Sequence, residues 1–205
     1  GILQRLQVDY LDSLLLHRPD ALMEADQVAE AFDILQKSGK VRDFGVSNQN
    51  PMMMELLKRE VKQPLLINQL QLSAAFTPGF DAGFHVNMEG DKAAVRDGSV
   101  FEYCKLNDMV IQAWSVLQFG YFKGNFVGNE QFQQLNQVLN RLALKYGVSP
   151  SAIAIAWVLR YPARMQAVVG TTNPKHLLEA SKASNLTLTR KEWYEIYLAA
   201  GNDLP

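Results

Sequence analysis

Polar side chains recur at the ends of short apolar runs in this 205-residue chain. His17 closes the run Leu14-Leu15-Leu16, and its imidazole could donate to a carbonyl oxygen or share a proton with an acid. Position alone serves equally well for a histidine satisfied by the turn that Arg18-Pro19 begins. Ser47 and Asn48 end a second run, and Gln69 lies late in a third. A hydroxyl and two amides on one rim could hold a flat group that both donates and accepts hydrogen bonds, as a carboxamide does. Taken singly, each also fits an ordinary turn former. Trp114, beside Ser115, ends a fourth run and could stack on a planar ring or pack as core.

The fifth run makes the clearest physical case. Val169-Gly170-Thr171-Thr172-Asn173-Pro174 leads directly into a helix start. Backbone N–H groups at a helix N-terminus attract anions. Gly170 permits close approach, Thr171 and Thr172 add hydroxyls, and Lys175 and His176 add positive or switchable charge. A plain capped helix is the competing account. His85 falls in a long loop and reads as solvated or loop-stapling. Three scattered histidines give no metal-ligand spacing. Cys104 reads as a small buried hydrophobe. Neither a Rossmann glycine fingerprint nor a Walker loop occurs.

These residues need elements to position them. Strands are expected at Tyr10–His17, Asp43–Asn48, Leu65–Gln71, Val110–Ser115 and Gln166–Thr171, with helical patterns between them. Strand–helix alternation specifies α/β architecture with a parallel sheet. Polar residues at the carboxyl ends of such strands match the catalytic rim of a (β/α)8 barrel. Such a barrel needs eight units, and five are legible. Asp26 to Lys37 forms an amphipathic helix closed by Ser38-Gly39. Asn50-Pro51, Ser149-Pro150 and Asn173-Pro174 each pair a capping residue with a proline in the first helical position. Thr189 with Glu192 is a capping box. Ser73 to Gly98 and Gly120 to Asn129 read as irregular, functional loops.

Composition narrows the classes. A hydrophobic fraction of 48% can build a sizeable core, and the length predicts one domain over residues 1–205, or two small ones at most. A net charge of -1 without basic runs argues against nucleic acid or an anionic membrane as partner. One cysteine allows no internal disulfide and points to a reducing, cytoplasmic setting. No apolar run has bilayer-spanning length.

In combination, the motifs resemble the aldo-keto reductase family. Asp9-Tyr10-Leu11-Asp12-Ser13-Leu14-Leu15-Leu16-His17-Arg18-Pro19-Asp20 resembles its fourth strand. Gly39-Lys40-Val41-Arg42-Asp43-Phe44-Gly45-Val46-Ser47-Asn48 resembles the fifth, and Asn68-Gln69 the sixth. Ala113-Trp114-Ser115 resembles the seventh, and Val169 to Pro174 the eighth. The ending from Leu188 looks like bacterial members. The resemblance implies a (β/α)8 TIM barrel that binds NADP(H) and reduces small carbonyl substrates, aldehydes or ketones, to alcohols. It gives His17 the substrate-orienting role, and Ser47, Asn48 and Gln69 the nicotinamide carboxamide. Trp114, with Ser115, takes the place of the stacking aromatic. Leu117 and Gly120 border the pyrophosphate, and Gly170, Thr171, Thr172, His176 and Glu179 the adenosine end. His176 stands where the family often has an arginine on the 2′-phosphate, which leaves NAD(H) open beside NADP(H).

The same resemblance implies that the family's first three β/α units, with the catalytic tyrosine, lysine and aspartate, are not among these residues. A truncated, N-terminally incomplete domain of about five parallel strands is therefore expected. It should be inactive or nearly so alone, and prone to self-association through exposed sheet edges. A non-catalytic binding or assembly module is the alternative.

Overall fold

The computed structural model describes residues 1–19, 23–84, 99–120 and 123–202. His85 and most of the expected irregular stretch up to Gly98 lie outside the described residues, as does Tyr121. The chain folds as two compact units. One comprises Gly1–Leu70 with Val100–Ile111, the other Gln71–Ser99 with Gln112–Pro205. Five parallel strands form one sheet in the order β1-β2-β3-β4-β5: β1 Leu11–Leu16, β2 Val41–Ser47, β3 Leu65–Gln71, β4 Val110–Trp114 and β5 Arg164–Ala167. Sequential strands pair parallel because a helix returns the chain after each one.

In the first unit, α1 Ile2–Leu6 precedes β1. Helix α2, Ala25–Lys37, buries Phe32, whose ring stacks on Phe44 of β2 at 4.0 Å. Helix α3, Pro51–Lys58, starts as its sequence predicts: Asn50 accepts from Met53 N–H, and Pro51 fills the first turn. Strand β2 lies tight between its neighbours. A Cβ on Gly45 would meet the Ile67 carbonyl oxygen at 2.6 Å and Leu15 Cδ2 at 2.6 Å. The β2–β3 register slips at this point, between Phe44 and Gly45. Glycine in a strand often marks such an irregularity.

In the second unit, α4 Pro78–Phe84 occupies the start of the stretch expected to be irregular. Thr77-Pro78 precedes it, with the Thr77 carbonyl accepting from Phe80 N–H at 2.8 Å. Helix α5, Val100–Leu106, belongs to the first unit. A 3-10 turn, Glu130–Phe132, leads into α6 Gln133–Tyr146. Then come α7 Pro150–Leu159, α8 Pro174–Ser181 and α9 Arg190–Ala199. Helix α7 is buried from Ala152 through Val158 and forms the centre of this unit. Its Trp157 packs with Phe80 and Trp193. No single helix among the described residues is long and apolar enough to cross a membrane.

The fifth strand corrects its expected place. Hydrogen-bonded strand runs over Arg164–Ala167, earlier than the predicted Gln166–Thr171. Val168 N–H still reaches the Ala113 carbonyl at 2.8 Å. Beyond that the chain leaves the sheet, so Gly170 and Thr171 sit on a loop.

Candidate functional site

Two groups of residues were singled out by chemistry, and each unit holds one of them. In the first unit, β2 ends at Ser47 and the next residue turns sharply. Asn48 has φ +54°, a left-handed conformation that asparagine tolerates better than most side chains. Its N–H donates to the Gln69 carbonyl at 2.9 Å. Ser47 Oγ donates to that same oxygen at 2.9 Å and accepts from Asn48 Nδ2 at 3.1 Å. The fully buried Asn68 donates through Nδ2 to the Gln49 carbonyl at 2.9 Å. Ser47, Asn48 and Gln69 are thus one hydrogen-bonded cluster at the carboxyl ends of β2 and β3. His17 is exposed, one residue past β1.

In the second unit, Ser115 repeats the device. It follows β4 with φ +54°, and its hydroxyl pairs with Gln118 Oε1 at 3.0 Å. This turn opens a cavity of about 700 Å³. Trp114, Ser115 and Leu117 line one part of it, and Gly170, Thr171, His176 and Glu179 another. A cavity of this size lies in the usual range for small-molecule and cofactor sites. A Cβ placed on Gly170 would meet nothing within 4 Å, so that wall is open backbone. Gly120 and Thr172 are not among the lining residues. Gly120 instead makes room for Lys123, whose Cδ would lie 2.9 Å from an added Cβ.

The amino end of α8 is partly occupied by its own side chains. Thr171 Oγ1 accepts from Asn173 N–H at 3.1 Å, and Asn173 Oδ1 accepts from Lys175 N–H at 3.0 Å. On the next turn Glu179 forms an ion pair with Lys182 at 2.6 Å. That hydrogen bond, against some burial and with help from Ser149, holds the Glu179 carboxyl below its usual range. The cavity also takes in residues that sequence reasoning passed over as sites. Ser149 and Ser151 flank the start of α7 and line the wall, with Asn125 and Gln118. Ser149-Pro150 was legible as a helix cap, and Ser149 Oγ does accept from Ala152 N–H at 3.2 Å. Its second role beside the cavity depends on how α7 and α8 pack, which no local pattern encodes.

The family model for the aldo/keto reductase family matches residues 1–199. The chain belongs to that family. Among its curated relatives, 6-dehydroglucose reductase of Agrobacterium fabrum strain C58 is 34% identical over 98% of this chain. Oxidoreductase YdhF of Escherichia coli strain K12 is 35% identical over the same share. The chain spans 61% of the length of each of these relatives. An aldo/keto reductase from Klebsiella pneumoniae, solved with NADP and acetate, superposes with a TM-score of 0.73 at 24% identity. That match covers 95% of this chain and 60% of that one. The thermostable aldo-keto reductase Tm1743 gives a TM-score of 0.72 at 23% identity, over 96% of this chain and 62% of that one. Likeness at this identity establishes the fold, and the fold is that of the aldo-keto reductase barrels.

Proposed function

We propose that this protein acts in the NADPH-dependent reduction of an aldehyde or ketone to an alcohol. One observation carries the reading. Seven residues that the family resemblance ties to the cofactor line a single cavity of about 700 Å³. The residues present fit the group. Trp114 offers a planar face, Gly170 an open backbone wall, and Thr171, Ser149 and Ser151 hydroxyls for sugar or phosphate oxygens. The Klebsiella relative, described with NADP, supports the same reading.

When bound, the nicotinamide supplies a hydride to the carbonyl carbon, and the oxygen then takes a proton. The chain's own residues are proposed to bind and orient. His17 would donate to the carbonyl oxygen and fix the face presented for attack. The family resemblance gives Ser47, Asn48 and Gln69 the carboxamide, a group that side-chain amides can match because they both donate and accept. Trp114 would cover one ring face and exclude water from it. No tyrosine here stands in the family's proton-donor motif. A positioned proton donor contributes roughly 10²–10⁴-fold in rate. We therefore expect this chain alone to bind cofactor and turn over little.

Fluorescence titration of the chain with NADPH tests the binding half. Saturable quenching in the wild type, lost in Trp114→Phe, is the expected result. Absence of saturable binding would sink the reading. Binding with undiminished carbonyl turnover would overturn the expectation that the proton donor is lacking.

A further inference from the structure

Helix α6 buries a polar side chain among its apolar ones. Leu135, Leu139 and Leu142 face the core, and Asn136 is buried with them. Asparagine is a poor helix former, and an unpaired amide inside a core destabilises the fold. This amide is fully engaged. Nδ2 donates to the carbonyls of Phe126 at 2.8 Å, Asn129 at 3.1 Å and Phe132 at 3.0 Å. Oδ1 accepts from Gly128 N–H at 2.7 Å. Two protons serve three carbonyls, so one is shared. Every one of these partners is backbone of the segment that leads into α6.

The same segment supplies a wall of the cavity. Asn125 and Val127 line it, and Asn136 does not. The wall has little regular structure of its own. Gln118 and Asn125 form an isolated bridge, and Phe126 N–H donates to the Leu117 carbonyl at 3.1 Å. Asn125 Oδ1 accepts from Val127 N–H at 2.8 Å. On the Gln118 side, the buried Ser73 donates through Oγ to the Gln118 carbonyl at 2.6 Å. Past Phe126 the chain bends through Gly128 at φ +77°, and there its backbone meets Asn136 instead of a strand partner. A leucine at position 136 would suit the buried face of α6 but would take this partner away from the turn.

We infer that Asn136, which does not touch the cavity, is the positioning residue for its Asn125–Val127 wall and sets how long a bound dinucleotide stays. The inference rests on the cofactor reading above and deepens it. The amide fixes the turn before any ligand arrives, so binding does not have to order it. Without the amide the wall can rearrange around a bound ligand, and the ligand leaves sooner.

Stopped-flow tryptophan fluorescence of the whole chain tests this, with bound NADPH chased by excess NADP+. Asn136→Asp keeps the acceptor and removes the donors. Asn136→Leu removes both and restores an apolar face to α6. Each should release NADPH about tenfold faster or more, with association changed by no more than about twofold. Melting curves show that each variant is folded at the temperature of the assay. Should neither fold, Asn129→Ala takes their place, since it removes the Asn129 Nδ2 bond to the Asn125 carbonyl at 3.3 Å in the same wall. It should speed release by several-fold. Folded variants that release NADPH at the wild-type rate overturn the inference and leave the cofactor reading standing. So does a smaller binding-competent fraction at an unchanged release rate, which is what a purely structural role gives. Failure of the wild type to bind NADPH removes the cofactor reading itself, and the inference with it.

Discussion

Trp157 and Trp193 hydrogen-bond each other's backbone reciprocally. Trp157 Nε1 donates to the Trp193 carbonyl at 3.0 Å, and Trp193 Nε1 donates to the Trp157 carbonyl at 3.1 Å. Their rings stack 4.8 Å apart with planes 10° from parallel. Helices α7 and α9 are therefore clamped by two buried polar bonds inside an apolar contact. Trp193→Phe removes one donor and strands a buried carbonyl. We expect a loss of about 1–3 kcal/mol, read as a lower urea midpoint with an unchanged slope.

The same pair leaves Trp114 as the remaining tryptophan of the three. Because Trp157 is buried in its stack, a ligand in the cavity should act on fluorescence chiefly through Trp114.

Gly45, the glycine of β2, is tightly enclosed. An added Cβ would stand 2.6 Å from the Ile67 carbonyl oxygen and 2.8 Å from Ile67 Cβ, both parts of the neighbouring strand. Backbone cannot swing aside as a side-chain tip can. Gly45→Ala should cost about 3 kcal/mol or more, at the upper end for overpacking. Thermal melts compared with Ala at the open Gly170 provide the control.

Much of this arrangement was readable from local chemistry. Leu65–Gln71 is the predicted strand to the residue. The three Xaa-Pro caps fall where expected because Asn50, Ser149 and Asn173 each bond their own helix N–H groups. The capping box of Thr189 and Glu192 forms as written. What failed was non-local. Val168 to Thr171 reads as strand by composition, yet strand pairing stops at Ala167. Helix α4 was hidden because glycines within it lower local propensity, while Phe80 gains its place by stacking on Tyr161 at 4.8 Å. The family resemblance proposed the cavity residues, whereas Ser149 and Ser151 joined them only through tertiary packing.

Asn48 holds a left-handed turn at φ +54° between the end of β2 and α3. Asn48→Gly should fold with nearly unchanged stability, since glycine takes this conformation freely. Asn48→Val should cost about 1–2 kcal/mol, because a β-branched side chain tolerates the left-handed region worse than asparagine, whose short amide bonds locally. If the cluster serves the carboxamide, the glycine variant should still lose cofactor affinity. Stability and binding measured on one set of samples separate the two effects.

Glu192 is a buried hub. It accepts from Lys145 at 2.6 Å, Tyr146 at 2.9 Å, and both the N–H and hydroxyl of Thr189 at 2.8 Å. Burial pushes its pKa up, but these bonds outweigh it and bring the value down to about 2. A folded pKa below the ordinary 4.5 means stability that is complete above pH 4.5 and lost as pH falls toward 2. Glu192→Gln should therefore be less stable than wild type at neutral pH, with the gap closing in acid. Urea midpoints collected at about pH 7 and about pH 3 give the comparison. A gap constant across that range would remove the linkage.

Cys104 lies fully buried on α5, and burial pushes its thiol pKa up to about 11. Reaction requires the thiolate, and so it requires both exposure and a return to an ordinary pKa. Native protein should resist a thiol reagent at about pH 8, and labelling should proceed only as fast as the first unit opens. Because this is the chain's single cysteine, each labelled molecule reports one opening event. Labelling should accelerate with urea below the global transition if the first unit opens by itself. It should instead follow global unfolding if the two units melt together. Rapid labelling without denaturant, at the rate of a free thiol, would contradict the buried position.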